Sequence, residues 1–372
     1  LHSTSRRQRQ MCIRDRSNPD KLQCKVTGRM LLDGGVYLKN DNNFGNGVEF
    51  NDLRIGAKVA YQNWDMKLEI GYTGNKATIK DAFAKYTYKN HSIQVGQFYE
   101  PFSLEMMCST FDIRFNQSPG AVLALTNGRR MGITYSYRNK RHYMSGGAFM
   151  DNEVNNLKKA SHGYALDGRV VYRPVLDSKK LIHIGFAANY RTPNESLNEE
   201  DKNIFIYKSP GVSTIDNRNI AMATIDHAAY QIKFGTELLV YYHRFCLQSE
   251  YIRTHVERDN AFKNYVAQGA YLQCSWLLSG ETYLYDESVA CAGRPEGKSL
   301  EVCSRFNYLT LNDEDAAIWG GEQKDISIGL NYYINKYIGI KLNYSYLMPG
   351  ASIKEISRKN FSVFQGRFQF IF

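Results

Sequence analysis

The sequence has 372 residues, a formal net charge of +10 and a mean hydropathy of −0.46. No run of about 18 apolar residues occurs, which excludes a transmembrane helix but not a membrane barrel, whose alternating strands average out in a hydropathy window. The 27 Tyr, 19 Phe and 29 Gly residues suit strands, interfacial girdles and turns. Excess base favours anionic partners, but bases and acids are interspersed, so a nucleic-acid surface is the weaker interpretation.

The first 21 residues show neither a strand period nor a helix period. They also lack the apolar core of a secretory signal peptide. We therefore predict that 1–21 is a non-native or disordered leader and that 22–372 forms one domain.

About sixteen segments with strand character follow. Alternation is clear in 64–74, where Trp64, Met66 and Leu68 oppose Lys67 and Glu69. The segments are 24–38, 47–62, 64–74, 77–88, 91–98, 130–138, 143–151, 163–173, 180–191, 228–242, 244–256, 262–277, 301–311, 325–334, 337–348 and 361–372.

The connections between these segments alternate in length. Short turns at residues such as Asn63 and His243 face longer connections at 99–129, 152–162, 192–226, 312–324 and 349–360. Short turns on one rim and long loops on the other are typical of an outer-membrane barrel. Two connections depart from the pattern, because 73–76 is short and 279–300 is long. We predict an all-β, transmembrane antiparallel barrel of about 16 strands.

The final strand shows which faces such a barrel would have. Phe364, Phe368, Phe370 and Phe372 alternate with polar residues, one of which is Arg367. A soluble sheet could bury the aromatic face in a core, whereas a membrane barrel turns it toward lipid and the polar face toward a wet lumen.

Seven cysteines occur without a CxxC pair, which argues against a zinc site. Cys291 and Cys303 flank one polar loop, so a disulfide between them is one interpretation and two isolated thiols the other.

The connection at 99–129 carries recognisable motifs. They are GQF at 96–98, PFSLE at 101–105, GR at 128–129 and Gly132, with further matches at 280–282 and 328–347. With these motifs the sequence closely resembles the porin O/P family, the phosphate-selective porins of Gram-negative outer membranes, from about residue 30 to 372.

The resemblance implies a homotrimer in contact with outer-membrane lipid, with inorganic anions such as phosphate as solutes. It also implies that the loop at 99–129 folds inward as a constriction loop. A C-terminal aromatic strand acts as an assembly signal in such barrels, which assigns that role to Phe368, Phe370 and Phe372. The segment 106–110 lacks the lysines that hold phosphate in phosphate-selective members, so phosphate specificity stays open.

Charged residues at the narrowest point would set ion selectivity, because the field is focused there. In and beside the constriction loop the candidates for the anion path are Arg114, Arg129, Arg130 and Ser109. The alternative is that these arginines pair with Glu100, Glu105 and Asp112 and fix the loop.

Strand parity predicts a set of inward-facing bases. They are Arg29, Arg54, Lys58, Lys67, Lys85, Arg169, Arg173, Lys233, Lys341 and Arg367. Acids on the same faces include Asp33, Asp52, Asp65, Glu69, Asp81, Asp167 and Glu237, so the wall is mixed in charge.

These features predict an outer-membrane porin for passive diffusion of small, phosphate-like or polyphosphate-like anions through a water-filled basic lumen, without a cofactor or metal. The alternatives are a weakly selective diffusion porin and a non-transport all-β binding protein. Catalysis is disfavoured because no GxSxG or HExxH motif occurs.

Overall fold

The computed structural model describes residues 21–39, 41–73, 76–150, 162–194, 203–216, 218–259, 261–350 and 359–372. Its elements, in chain order, are β1 (Gln23–Leu38), β2 (Gly47–Tyr61), β3 (Trp64–Thr73), β4 (Lys76–Tyr88), β5 (His91–Tyr99), α1 (Leu104–Met107), α2 (Gly120–Leu125), β6 (Arg129–Arg138), β7 (His142–Met150), β8 (Tyr164–Leu176), β9 (Lys180–Arg191), β10 (Phe205–Ser209), β11 (Ala221–Ile225), β12 (Ala228–Tyr242), β13 (Phe245–Arg258), β14 (Tyr265–Ser279), β15 (Tyr283–Asp286), β16 (Cys291–Pro295), β17 (Ser299–Asp313), β18 (Ile318–Tyr333), β19 (Ile338–Pro349) and β20 (Phe361–Ile371).

Sixteen of these strands form a closed antiparallel barrel, which confirms the predicted fold. Its order is β1 to β9, β12 to β14 and β17 to β20, with β20 pairing back to β1. Closure leaves no unpaired edge strand. None of the helices within the described ranges is long and apolar enough to span a membrane.

The barrel is apolar outside and polar inside, and the period-2 alternation explains why. In β3, Trp64, Met66 and Leu68 are exposed on the outer face, whereas Glu69, which follows Leu68, is buried. The same arrangement recurs around the wall. Asn331, Lys341 and many other polar side chains are buried, and apolar side chains are exposed. This is the distribution expected of a barrel that contacts lipid outside.

The predicted connection at 312–324 is mostly strand. The β17–β18 ladder continues to Asp313 opposite Ile318, so the two strands are joined by a short turn. The prediction was wrong here because the polar residues Glu322, Gln323 and Lys324 obscure the apolar alternation at this end of β18.

Two short hairpins were also missed. β10 pairs with β11 inside the predicted connection 192–226, and β15 pairs with β16 inside 279–300. Each strand has only four or five residues, which is too short for a period to stand out from its polar surroundings.

The barrel closes between β1 and the last residues of β20. Phe372 exchanges two backbone hydrogen bonds with Gly28, at 3.1 and 3.2 Å. A Cβ atom at Gly28 would lie 2.1 Å from the Phe372 ring, so only glycine leaves room for the ring in this position. The ring is 48% exposed on the outer face, as Phe364 is at 47%.

Phe372→Ala is therefore expected to lower the fraction of chain that assembles into a barrel, because the closing strand loses its ring contact with β1. The measurement is the fraction of heat-modifiable, folded protein in isolated outer membranes. Phe364→Ala removes an equally exposed ring from the middle of β20 and serves as the control. Equal folded fractions for the two variants would contradict a special role for Phe372.

Candidate functional site: a partly filled barrel lumen

Three segments fold from the barrel rims into its interior. The constriction loop (100–128, between β5 and β6) carries α1 and α2, and the inner hairpin (205–225) consists of β10, β11 and their connection. Both enter from the rim of long loops. The rim hairpin (283–295), made of β15 and β16, enters from the opposite rim, where the other connections are short turns.

The constriction loop is held against the wall formed by β13 and its neighbours. The Glu250 carboxylate accepts hydrogen bonds from the backbone amides of Leu104 (3.0 Å) and Glu105 (2.8 Å), at the start of α1. These amides have no partner within the helix, so a buried carboxylate satisfies them. Gln248 Nε2 donates to Glu105 Oε2 at 2.7 Å. The start of the loop is thereby tied to the wall opposite β1 to β6.

Arg114 fixes the next part of the loop. Its Nε lies 3.2 Å from Glu301 Oε1 on β17, and both side chains are almost completely buried. Asn331 Nδ2 donates to the Arg114 carbonyl oxygen at 2.9 Å. The loop-fixing alternative therefore describes Arg114 better than the anion path does, although its partner is Glu301 and not a loop carboxylate.

The loop then crosses to the opposite wall. Arg29 Nη2 on β1 donates to Ser109 Oγ at 3.1 Å. Thr110 Oγ1 donates to Asp52 Oδ2 on β2 at 3.0 Å. The constriction loop thus bridges the lumen, and Ser109 lies on its side facing β1 and β2.

The inner hairpin fills the space along the second half of the barrel. Tyr207 OH donates to Gln231 Oε1 on β12 at 2.5 Å, and Ser209 Oγ donates to Gln323 Oε1 on β18 at 2.7 Å. Gln365 Nε2 on β20 donates to the carbonyl oxygen of Val212 at 2.9 Å. The inner hairpin therefore covers this part of the wall.

The rim hairpin is held mainly by Arg169 on β8. The guanidinium donates to the carbonyl oxygens of Val289 and Ala290, both at 2.7 Å, and pairs with Glu237 at 2.9 Å. All three guanidinium nitrogens of Arg169 therefore donate to protein groups.

Five of the predicted inward-facing bases are buried under these segments or against the wall, and each has a protein partner there. Their partners are the Val289 and Ala290 carbonyls for Arg169, the Asn139 and His142 carbonyls for Arg173, Asn127 for Lys233, the Ile113 carbonyl for Lys341, and Asp33 with the Asn116 carbonyl for Arg367. For Arg169, Lys233, Lys341 and Arg367 the physical reason is that the inward segments cover this part of the wall and accept hydrogen bonds from its bases, whereas the acceptors of Arg173 lie at the turn between β6 and β7.

The wall from β1 to β6 is different, because its bases are half-buried or, as at Lys25, exposed. A continuous chain of ion pairs crosses it. In order, the pairs are Arg29–Asp52 (3.4 Å), Asp52–Arg54 (2.5 Å), Arg54–Glu69 (2.9 Å), Glu69–Lys67 (3.4 Å), Lys67–Asp81 (2.5 Å) and Asp81–Arg129 (2.6 Å). Four bases alternate with three acids, so the ion-pair chain has one positive charge in excess.

A row of three lysines crosses the same wall near the short-turn rim. Lys25 on β1 is paired in register with Lys58 on β2, and Lys58 with Lys67 on β3. Like charges directly opposite one another destabilise a sheet. Neither Lys25 nor Lys58 forms an ion pair or side-chain hydrogen bond within the described ranges. Lys67 is neutralised in part by Glu69 and Asp81, so the unpaired charge of this lysine row comes from Lys25 and Lys58.

A family model described as phosphate-selective porin O and P matches residues 24–372. The chain belongs to this family. It is a porin of the Gram-negative outer membrane.

Sequence relatives of this porin are distant. It is 22% identical over 367 residues to Porin O of Pseudomonas aeruginosa, covering 86% of the chain and 82% of that protein. It is 25% identical over 350 residues to an uncharacterized protein of Caulobacter vibrioides, covering 87% of the chain and 68% of that protein.

Solved porin structures share its fold at low identity. The anion-selective porin from Comamonas acidovorans aligns with a TM-score of 0.60 and 10% identity, covering 95% of this chain and all of that one. OmpT of Vibrio cholerae aligns with a TM-score of 0.61 and 9% identity, covering 96% and 99%. These likenesses establish the barrel architecture.

The remaining candidates of this porin take other positions. Arg129 lies over the Tyr99 ring at 4.0 Å as well as pairing with Asp81, and Arg130 is half-buried and donates to the Arg129 carbonyl oxygen at 2.8 Å. Lys85 is half-buried on β4, in register with Asp65. Lys25 was not among the predicted inward-facing bases, although it has the same strand parity as Arg29.

The disulfide between Cys291 and Cys303 is not formed, because both are free thiols. The polar connection between them folds inward as the rim hairpin, which turns Cys291 toward α1 and away from Cys303 on β17. Within the described ranges, no group of three or more His, Cys, Asp or Glu residues is arranged to hold a metal ion.

Proposed function

We propose that this porin lets small anions diffuse passively along the half-buried wall from β1 to β6. The observation that carries the proposal is the lysine row of Lys25, Lys58 and Lys67, where like charges face each other across three strands. Such a row costs stability, so a role in attracting anions gives a reason for it. The opposite wall is covered by the constriction loop and the hairpins.

The charge balance along this wall favours anions modestly. Most bases of the ion-pair chain, Lys67 among them, are neutralised by Asp52, Glu69 and Asp81, which leaves Lys25 and Lys58 of the lysine row as the main source of positive potential. A cleft with low-dielectric walls focuses such a potential on passing ions. Weakly selective diffusion is the second candidate, because acids lie among the bases.

Phosphate-like anions are the solutes that we propose within this class. Support comes from the description of the family and from the lysine row, whose ammonium groups could surround one divalent anion. The segment 106–110 has no lysine, which argues against a phosphate site in this part of the constriction loop. The proposed phosphate site is therefore the lysine row.

We also propose that the porin is a homotrimer, in contact with lipid and without enzymatic activity or a cofactor. An aligned structure of OmpT of Vibrio cholerae is described as a trimer form. Exposed rings such as Trp64, Tyr72 and Trp276 provide the aromatic residues that belong at membrane interfaces. The family and the fold are those of channels, which supports a non-enzymatic role.

Ion-substitution conductance in planar bilayers tests the proposal. Replacing chloride by a bulky organic anion at constant potassium is expected to lower single-channel conductance strongly. Replacing potassium by a bulky organic cation at constant chloride is expected to lower it much less. Equal losses would favour the weakly selective alternative, and the reverse order would contradict anion diffusion.

A phosphate titration separates the finer claim from the general one. Adding phosphate to one side is expected to block chloride current saturably, because a divalent anion held by three ammonium groups leaves more slowly than chloride does. Sulfate at the same ionic strength is the control for divalent charge. A chloride current that phosphate does not block would contradict the proposed phosphate site but not anion diffusion.

A further inference from the structure

Two cysteines from different inward segments meet inside the barrel. Cys108 follows α1 in the constriction loop, and Cys291 begins β16 in the rim hairpin. Both are buried and free, and they pack in one buried cluster. The two segments enter from opposite rims, so this contact joins one end of the lumen to the other.

Other contacts hold the same junction in place. Arg294 of β16 pairs with Asp112 of the constriction loop at 3.8 Å and lies over the Phe111 ring at 4.7 Å. The Arg114 guanidinium lies 5.0 Å from the centre of the Tyr283 ring on β15. The two thiols are therefore brought together by packing that does not depend on them.

Each segment is also anchored to the barrel separately. Glu250 holds the amides at the start of α1, and Arg169 holds the Val289 and Ala290 carbonyls beside Cys291. Cys108 Sγ donates to the Leu104 carbonyl oxygen at 3.2 Å, which keeps its side chain near the turn of α1. A bond between the two sulfurs would connect two elements that are each anchored to the barrel.

We propose that Cys108 and Cys291 form a disulfide that clamps the constriction loop to the rim hairpin. The oxidant is a disulfide, either of a protein or of a small molecule. One cysteine thiolate attacks it and forms a mixed disulfide, and the second thiolate then displaces the remaining thiol. The two cysteines lose two protons and two electrons in total, and the incoming disulfide becomes two thiols.

The disulfide forms while the barrel assembles and not in the finished barrel. The hydrogen bond to Cys291 and burial raise the pKa of Cys108 well above its ordinary value, so the reactive thiolate is scarce once the segments are packed. In the unassembled chain both thiols are exposed to the oxidant. An outer-membrane chain passes through an oxidising compartment on its way, where disulfides form and persist.

Refolding the full chain from urea into detergent micelles tests the disulfide. The folding buffer contains either oxidised glutathione or dithiothreitol, and peptide mass spectrometry is applied to the heat-modifiable, folded fraction. A peptide pair joining Cys108 to Cys291 is expected with oxidised glutathione and absent with dithiothreitol. Free Cys291 in the folded oxidised protein, or Cys291 joined to another cysteine, would overturn the proposal.

Serine variants provide matched controls, because serine keeps the size and hydrogen bonding of the thiol. Cys108→Ser and Cys291→Ser are each expected to fold and to lose the crosslinked pair. Cys303→Ser is expected to keep it, because Cys303 lies on β17 with Asn331 Nδ2 at 3.7 Å from its sulfur. Loss of the pair in Cys303→Ser would overturn the assignment.

Channel recordings test the clamp itself. The oxidised porin is expected to show fewer spontaneous closures than the reduced porin, because the loop and hairpin can no longer move apart. Cys108→Ser is expected to show no such difference between the two conditions. An equal closure frequency for the oxidised and reduced porin would overturn the clamping role, whichever ions carry the current.

Discussion

Replacing Lys25 and Lys58 together by Gln is expected to lower the anion-to-cation permeability ratio roughly tenfold at low salt. A charge about 4 Å from a passing ion contributes from ~1 kcal/mol in bulk water to ~4 kcal/mol near a protein surface. Lys58 forms no ion pair within the described residues, although the Glu69 carboxylate attracts it, so part of its charge acts on the solute. The reversal potential in a salt gradient measures the change.

The matched control is the double variant Lys140→Gln/Lys336→Gln. Both lysines are exposed on turns of the same rim, so the formal charge changes equally, but outside the lumen. This control is expected to keep nearly the original reversal potential. If the two double variants shifted the potential equally, the selectivity would come from net charge and not from the lysine row.

Arg367→Leu is expected to destabilise the barrel by about 3–5 kcal/mol, the usual cost of leaving one partner of a buried ion pair alone. Arg367 Nε and Nη2 donate to the Asp33 carboxylate, both at 2.6 Å, and both side chains are almost fully buried. The pair lies on the seam between β1 and β20. The midpoint of urea unfolding in detergent, followed by heat-modifiable mobility, is the measurement.

The double variant Arg367→Leu/Asp33→Asn removes the unpaired charge and is expected to regain much of the lost stability. The reversal potential of folded Arg367→Leu is expected to change little, because this base lies beneath the constriction loop. A normal unfolding midpoint combined with a clear loss of anion preference would show that Arg367 lies on the ion path, which would contradict the structural role described for it.

Strand alternation made the barrel predictable from sequence. A β-strand exposes every second side chain to one face, so outward residues such as Trp64 and Phe364 and inward ones such as Lys67 and Arg367 separate by parity alone. The short hairpins β10–β11 and β15–β16 were not predictable in this way. Their strands are too short, and the protein segments that bury them lie far away in sequence.

The candidate site was predictable only in part, for a related reason. Parity indicates that a base faces inward but not whether another segment covers it. Lys341 and Lys58 look alike in sequence, yet the Lys341 ammonium is buried against the Ile113 carbonyl, whereas Lys58 has no such partner within the described residues. The difference arises from the tertiary path of the constriction loop, which no local pattern encodes.

The zero-current potential of the unsubstituted porin tests whether anions carry most of the current. A single channel is placed between two potassium chloride solutions of different concentration, at low ionic strength so that the lysine row is little screened. Anion diffusion through the porin is expected to give a potential of the sign that chloride diffusion produces. A potential of the opposite sign, set by potassium, would contradict it.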